Sequence, residues 1–193
     1  MNRIEDVLRN VLGITDEALL NKGKKIAHIR HYKKGEYLAC AGEQQTGLCF
    51  LLQGLFRFYF LDAKGKEITD CFCYQYGNPV VPAIDYRDPL PINIVALEDS
   101  SVLVLPIAEV QQLMATEIET VRIYNALLMG SLSQHWETKM ALYRFSGLQR
   151  YQWFIERFEG LIDRVPHVYI ASYLGMSPVS LSRLRRQLKE QET

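Results

Sequence analysis

Residues 165–188 read VPHVYIASYLGMSPVSLSRLRRQL, and the rest of the chain is best read outward from them. The first half carries Ile170, Ala171 and Leu174 at the spacing of one helical face. The small side chain of Ala171 lets a second helix approach closely. Gly175 suits the left-handed residue that ends a helix and turns the chain. Ser177 is placed to cap a second helix, and Pro178 occupies its first turn, where no N–H is required. Two short helices joined by a tight glycine turn make a helix-turn-helix.

The second helix has two faces. At about 100° per residue, Leu181, Leu184 and Leu188 share one side, and Val179, Ser182, Arg183 and Arg186 share the opposite one. The leucines are expected to face inward. The other side is then a surface of small and basic side chains suited to a DNA major groove, where Arg donates two hydrogen bonds to guanine and Val touches a thymine methyl. Ser177 and Ser180 stand at the helix start, where hydroxyls and free N–H groups meet phosphate. Arg185, Lys189 and His167 flank this face as further phosphate contacts. The candidate DNA-binding set is therefore Ser177, Pro178, Val179, Ser180, Ser182, Arg183, Arg185, Arg186, Lys189 and His167.

Charge supports this placement. The 193 residues hold 22 Lys+Arg and 22 Asp+Glu, which excludes a globally basic nucleic-acid coat. The balance is local. Residues 1–140 carry 14 basic and 17 acidic side chains, whereas 141–193 carry 8 and 5. Between 164 and 189 there are five basic residues and no acidic one. A neutral protein with one basic end is suited to meet a polyanion through that end.

Upstream, residues 151–162 form an amphipathic pattern through Tyr151, Phe154, Ile155, Phe158, Leu161 and Ile162, after a break at Ser146-Gly147 and before a stop at Pro166. Residues 107–142 read as one long helix. Val121, Leu128, Leu132, His135 and Leu142 recur along it at coiled-coil spacing, which predicts a dimer interface. A helix packed on its own domain would show the same stripe.

From about 29 to 106 the texture is different. Glycines recur between short aromatic and β-branched runs at Cys49–Leu52, Leu55–Leu61, Ile68–Tyr74 and Val102–Leu105. Asp62-Ala-Lys-Gly65 is a hairpin turn. Many short strands predict an antiparallel sandwich or barrel. Residues 78–91 hold four prolines and read as loop. Residues 2–30 read as helical, with Ile4, Val7, Leu8, Val11 and Leu12 on one face and Thr15 as a cap for the second part.

Hydrophobic residues make up 48% and charged ones 23%, enough for a substantial core. No apolar run approaches the roughly 18 residues of a membrane span. The N-terminal stretch is interrupted by Arg3, Glu5, Asp6 and Arg9, so a secretory signal is not expected and a cytoplasmic location is. Cys40, Cys49, Cys71 and Cys73 lack metal-site spacing and are expected as reduced, mostly buried thiols. His28 and His31 lie three apart on a probable strand and face opposite sides, so no metal is expected.

The chain resembles the Crp/Fnr family of bacterial transcription regulators along nearly its whole length. The resemblance is carried by Lys34-Gly35-Glu36-Tyr37-Leu38, Gly42-Glu43, Phe50-Leu51-Leu52-Gln53-Gly54 and Gly65-Lys66-Glu67, by the seam helix, and by Ser177 through Arg186 as recognition helix. It implies an α+β protein. Residues 1–106 would be an antiparallel, jelly-roll-like β-roll of the cyclic-nucleotide-binding type with N-terminal helices. Residues 107–142 would be the dimerisation helix, and 143–193 the helix-turn-helix domain. It further implies a homodimer on a two-fold double-stranded DNA operator, RNA polymerase as a partner, and a small-molecule effector of unknown identity inside the roll.

The effector pocket is expected near Gly54, Gly77, Asn78, Pro79 and Arg87. Where the family's cyclic-nucleotide binders carry Gly-Glu-Leu and then Arg-Ser/Thr-Ala, this sequence has Gly77-Asn78-Pro79 and, near the Arg position, Pro91-Ile92. Cyclic AMP in the usual mode is therefore not expected, because its phosphate would lack the bidentate arginine clamp. No cysteine precedes Cys40, so the cluster-binding cysteine group of the oxygen-sensing branch is missing. With five residues after Leu188 and only Asp163–His167 before the motif, the DNA-binding wing is expected to be shortened or absent.

Two other classes fit less well. A jelly-roll enzyme needs clustered His and carboxylate ligands, which four scattered histidines do not supply. A sensor module without DNA contact leaves the basic terminal helix without a purpose.

Overall fold

Strands β3 (Gly47–Gln53) and β7 (Ser100–Pro106) are nearly continuous apolar runs, buried along almost their whole length. They pair antiparallel, with Phe50 opposite Leu103 and Leu51 opposite Val102, and β1 (His28–Tyr32) pairs with the other edge of β7. The second sheet has the order β2 (Tyr37–Ala39), β6 (Asn93–Ala96), β4 (Phe56–Leu61), β5 (Glu67–Cys73). This computed structural model describes residues 3–80 and 88–191. It divides the chain into two units, one of Met1–Phe58 and Phe72–Ser131, the other of Tyr59–Cys71 and Leu132–Thr193.

In the first unit, helix α1 (Arg3–Asp6) continues as a π-helical turn over Val7–Val11, and α2 (Glu17–Ile26) follows. Helicity therefore ends at Ile26 rather than near residue 30, because His28–Tyr32 is drawn into pairing with β7. The cap of α2 is Asp16 rather than Thr15. Its carboxylate accepts the Leu19 N–H at 2.7 Å, and a carboxylate also complements the positive end of the helix. Val7, Leu8, Leu19 and Leu20 bury against Leu48, Phe50, Leu52, Leu103 and Leu105.

The stretch expected as one helix over 107–142 is two, α3 (Ile107–Thr116) and α4 (Ile118–Arg144). Glu117 between them is extended, at φ −123°, ψ 104°. Its N–H still bonds the Leu113 carbonyl, and its carboxylate pairs with Lys22 of α2 at 2.5 Å. The boundary between the two units falls within α4 and within the β4–β5 hairpin.

In the second unit the hairpin turn is as expected. The Asp62 carboxylate accepts the N–H groups of Lys64 and Lys66 at 2.8 and 3.0 Å, which holds that carboxyl below its ordinary value. Helix α5 (Gly147–Arg157) starts with a reciprocal capping box between Ser146 and Gln149. The expected helix over 151–162 is interrupted. Gly160, at φ +73°, turns the chain into a separate short helix, α6 (Leu161–Arg164). Helices α7 (His167–Tyr173) and α8 (Pro178–Gln191) complete the unit. No strand follows Pro106 among the described residues.

Candidate nucleic-acid interface

The scaffold of the interface is an aromatic cluster. Phe154 and Phe158 lie 5.0 Å apart, and Tyr173 meets Phe154 at 5.8 Å and Phe158 at 5.6 Å. Phe154, Leu161, Ile170, Ala171 and Leu174 are fully buried, so α7 is fixed against α5 and α6. The Tyr173 hydroxyl lies 3.0 Å from Thr138 Oγ1 on α4. The Ser172 hydroxyl accepts the Thr69 N–H of the hairpin at 2.9 Å.

Gly175 then turns the chain at φ +62°. Met176 N–H returns to the Ala171 carbonyl at 2.9 Å and Gly175 N–H to that of Ser172 at 3.1 Å, closing the free end of α7. Ser177 Oγ accepts the Ser180 N–H at 3.0 Å and lies 2.9 Å from Ser180 Oγ, which caps α8 behind Pro178.

Helix α8 presents the two faces read from its periodicity. Leu181 is 1% exposed, and Leu184 and Leu188 are half-buried. Val179 is 61% exposed, and Ser182, Arg183 and Arg186 are exposed beside it, with Ser177, Pro178 and Ser180 exposed at the helix start. Among the described residues Arg186 makes a solvent-facing pair with Glu190 at 3.6 Å. Lys189 lies on α8 with its side chain outside the described residues.

Arg185 and His167 are placed differently. The Arg185 guanidinium donates to His167 Nε2 and also bonds the Tyr151 hydroxyl of α5. Burial, reinforced by the Arg185 charge and opposed by Asp163, holds the His167 imidazole below its ordinary value. Burial raises the Tyr151 phenol, which Arg185 partly offsets. These three residues brace α5, α7 and α8 to one another. Tyr151 shows in the sequence only as an apolar-face position, and nothing local links it to Arg185.

On α4 the exposed apolar side chains are Ile118 and Met129 in the first unit's part, and Leu132, Trp136, Met140 and Tyr143 in the second's. Of the seam residues, Leu132 and His135 are exposed, and Val121, Leu128 and Leu142 are half-buried. Trp136, whose ring carries the Lys139 ammonium 5.1 Å from its centroid, was not singled out by sequence.

The residues expected around an effector pocket belong to the first unit. A Cβ at Gly54 would lie 2.1 Å from Ser100 Oγ. Gly77 rests on Val11. Asn78 and Pro79 run along the edge of β3, with Leu51 N–H on the Asn78 carbonyl at 2.9 Å and a bridge between Phe50 and Pro79. Arg87 lies outside the described residues. The four cysteines are free, and burial pushes the Cys49 and Cys73 thiols up to about 12. Among the described residues no group of three or more His, Cys, Asp or Glu is placed to hold a metal ion, and no helix is long and apolar enough to cross a membrane.

Comparison with known proteins agrees with this fold. Residues 29–117 match the cyclic nucleotide-binding domain family. No curated protein matches the chain. Among solved structures, FixK2 from Bradyrhizobium japonicum is 19% identical, with 86% of each chain covered and a TM-score of 0.74. The c-di-GMP-responsive global regulator CLP of Xanthomonas campestris is 13% identical, with 92% of this chain and 93% of that one covered and a TM-score of 0.72. A transcriptional regulator of Eubacterium rectale assigned to the Crp/Fnr family is 18% identical, covering 94% and 87%, also at 0.72. Residues 29–117 thus match the cyclic nucleotide-binding domain family, and the fold of the chain is similar to that of these solved regulators.

Proposed function

We propose that the protein is a dimeric, sequence-specific DNA-binding transcription regulator, with a sensor region in 1–106, a dimerisation region in 107–142 and a DNA-binding region in 143–193. Helix α8 enters the major groove through Val179, Ser182, Arg183 and Arg186, and Ser177 and Ser180 meet phosphate at its start. The observation that carries this reading is the split of α8 into a buried Leu181 and an exposed, basic opposite side. Two copies associate through the outward apolar side of α4, which places two recognition helices on half-sites about 34 Å apart. A small molecule near Gly54, Gly77, Asn78, Pro79 and Arg87 biases that spacing, and the bound dimer acts on RNA polymerase.

Arg183 and Arg186 read bases or phosphates directly, whereas Arg185 acts as a brace through His167 and Tyr151. Operator affinity, measured by gel shift with a site selected from random duplexes, is expected to fall about 5- to 150-fold in Arg183→Ala or Arg186→Ala, from about 1–3 kcal/mol per lost contact. Wild-type affinity should also drop steeply between about 50 and 200 mM salt, as phosphate neutralisation requires. Unchanged shifts in both variants defeat the assignment.

A further inference from the structure

Among the described residues of the second unit, two arginines are half-buried, Arg150 on α5 and Arg185 on α8. Their charges are met differently. The Arg185 guanidinium has His167 and Tyr151. No hydrogen bond or ion pair holds the Arg150 side chain among the described residues, and its Nε is sealed from solvent. Of its three nitrogens Nε alone is sealed, so the charged end keeps its access to solvent. That end lies at the turn between α7 and α8, where Nη1 stands 3.3 Å from the position a Cβ on Gly175 would take.

A cation partly withdrawn from water without a counter-charge is costly. The sequence near Arg150 offers none. On its own helix the residues three and four positions away are Gly147, Ser146, Trp153 and Phe154. Across the turn, no acidic residue occurs between 164 and 189. Two residues beyond Gly175 stands Ser177, whose exposed hydroxyl caps α8 with Ser180 beside it. An unpaired guanidinium next to hydroxyls at the start of a long helix is a donor set for one phosphate group. The backbone of a duplex brings a phosphate to this place when α8 enters the groove.

We infer that Arg150 donates to a backbone phosphate of the duplex beside the start of α8, a contact made from α5 and outside the helix-turn-helix itself. The inference rests on the docking proposed for α8 and adds to it. The recognition helix reads bases, and a neighbouring helix supplies an anchor that carries no sequence information.

The test is the salt dependence of duplex binding by the full chain, measured by fluorescence anisotropy on a selected operator and on a random duplex. Arg150→Met removes the charge and keeps an unbranched side chain. It should weaken both duplexes by the same factor, roughly 10-fold. It should also flatten the slope of log K against log salt by about 0.9, the counterions of one phosphate. Arg150→Lys keeps the charge and should keep the wild-type slope. The melting midpoint of free Arg150→Met should stay at or above that of the wild type, because an unpaired cation has been removed. A merely structural arginine would instead lower the midpoint and leave the slope alone. Four results overturn the inference: an unchanged slope in Arg150→Met, a slope flattened equally in Arg150→Lys, a loss confined to the operator, or an Arg150→Met protein that melts well below the wild type or fails to fold. Absence of duplex binding by the wild-type protein defeats the docking of α8 and takes this contact with it, whereas wild-type binding with an unchanged slope in Arg150→Met defeats this contact alone.

Discussion

Gly77 and Gly175 share a left-handed backbone, at φ +80° and +62°, and differ in everything around it. A Cβ on Gly77 would lie 2.6 Å from Val11 Cγ2, a side chain from the N-terminal helical turn. A Cβ on Gly175 would meet only the tip of Arg150, at 3.3 Å from Nη1. The surroundings repeat the contrast. Residues 76–79 are held by distant partners: the Tyr76 hydroxyl on Asp6, the Asn78 carbonyl on Leu51, and Pro79 against Phe50. The turn between α7 and α8 is held by near neighbours, Met176 to Ala171 and Ser180 to Ser177. A turn made of local bonds is written into a short stretch of sequence. A segment held by distant ones is not.

The contrast is broken most directly by placing alanine at each glycine. Both variants incur the left-handed penalty of about 1–2 kcal/mol. Gly77→Ala also forces a methyl into Val11, adding about 1–3 kcal/mol. Gly175→Ala adds little, because a flexible arginine end can move. Denaturant unfolding should therefore rank Gly77→Ala as clearly the more damaging, and Gly77→Ala combined with Val11→Ala should restore part of the loss. A Gly175→Ala loss equal to or above that of Gly77→Ala reverses the comparison. On DNA the order should invert, since Gly175 sets the entry of α8 and Gly77 touches none of it.

Ser177→Ala sharpens the local side of the contrast. It removes the acceptor for the Ser180 N–H and is expected to cost about 1 kcal/mol. The measurement is amide exchange over 178–181, which should speed up there and stay unchanged over 76–80. Acceleration in both segments would mean that the turn is not locally held.

The same distinction separates what was legible from what was not. The helix-turn-helix, the faces of α8 and the Asp62 hairpin rest on caps, glycines and periodicity within a few residues, and the residues show them. The extended Glu117 between α3 and α4 pairs with Lys22, 95 residues away in sequence, and no local signal marks that partner. The rotation of the apolar side of α4 is hidden in the sequence for a related reason. Periodicity gives the spacing of an apolar face, but its rotation depends on what covers the helix, and Leu128 rather than Met129 is the one partly covered. Arg57 was invisible altogether. It is 2% exposed within β4, where an arginine is buried only if its charge is satisfied by groups the sequence does not juxtapose.

His167 gives the smallest expected effect and tests whether the brace around Arg185 is real. The imidazole is held below its ordinary value of 6.5 by burial first and by the Arg185 charge second, with Asp163 opposing. The unfolded chain therefore takes up the proton before the folded one. The stabilising contribution is complete above about pH 6.5 and is lost as the pH falls from there through the lower folded value. A protonated ring also can no longer accept from Arg185, so that guanidinium is released from α7. The effect is small because the residue is largely exposed, so its desolvation is slight and solvent screens the charge pair. Thermal melts at pH 7.5 and 5.5 should show a steeper acid decline in the wild-type protein than in His167→Gln, whose amide cannot titrate. Parallel declines would mean that His167 does not carry the Arg185 contact, and the arginine would then belong with Arg183 and Arg186 on the open face.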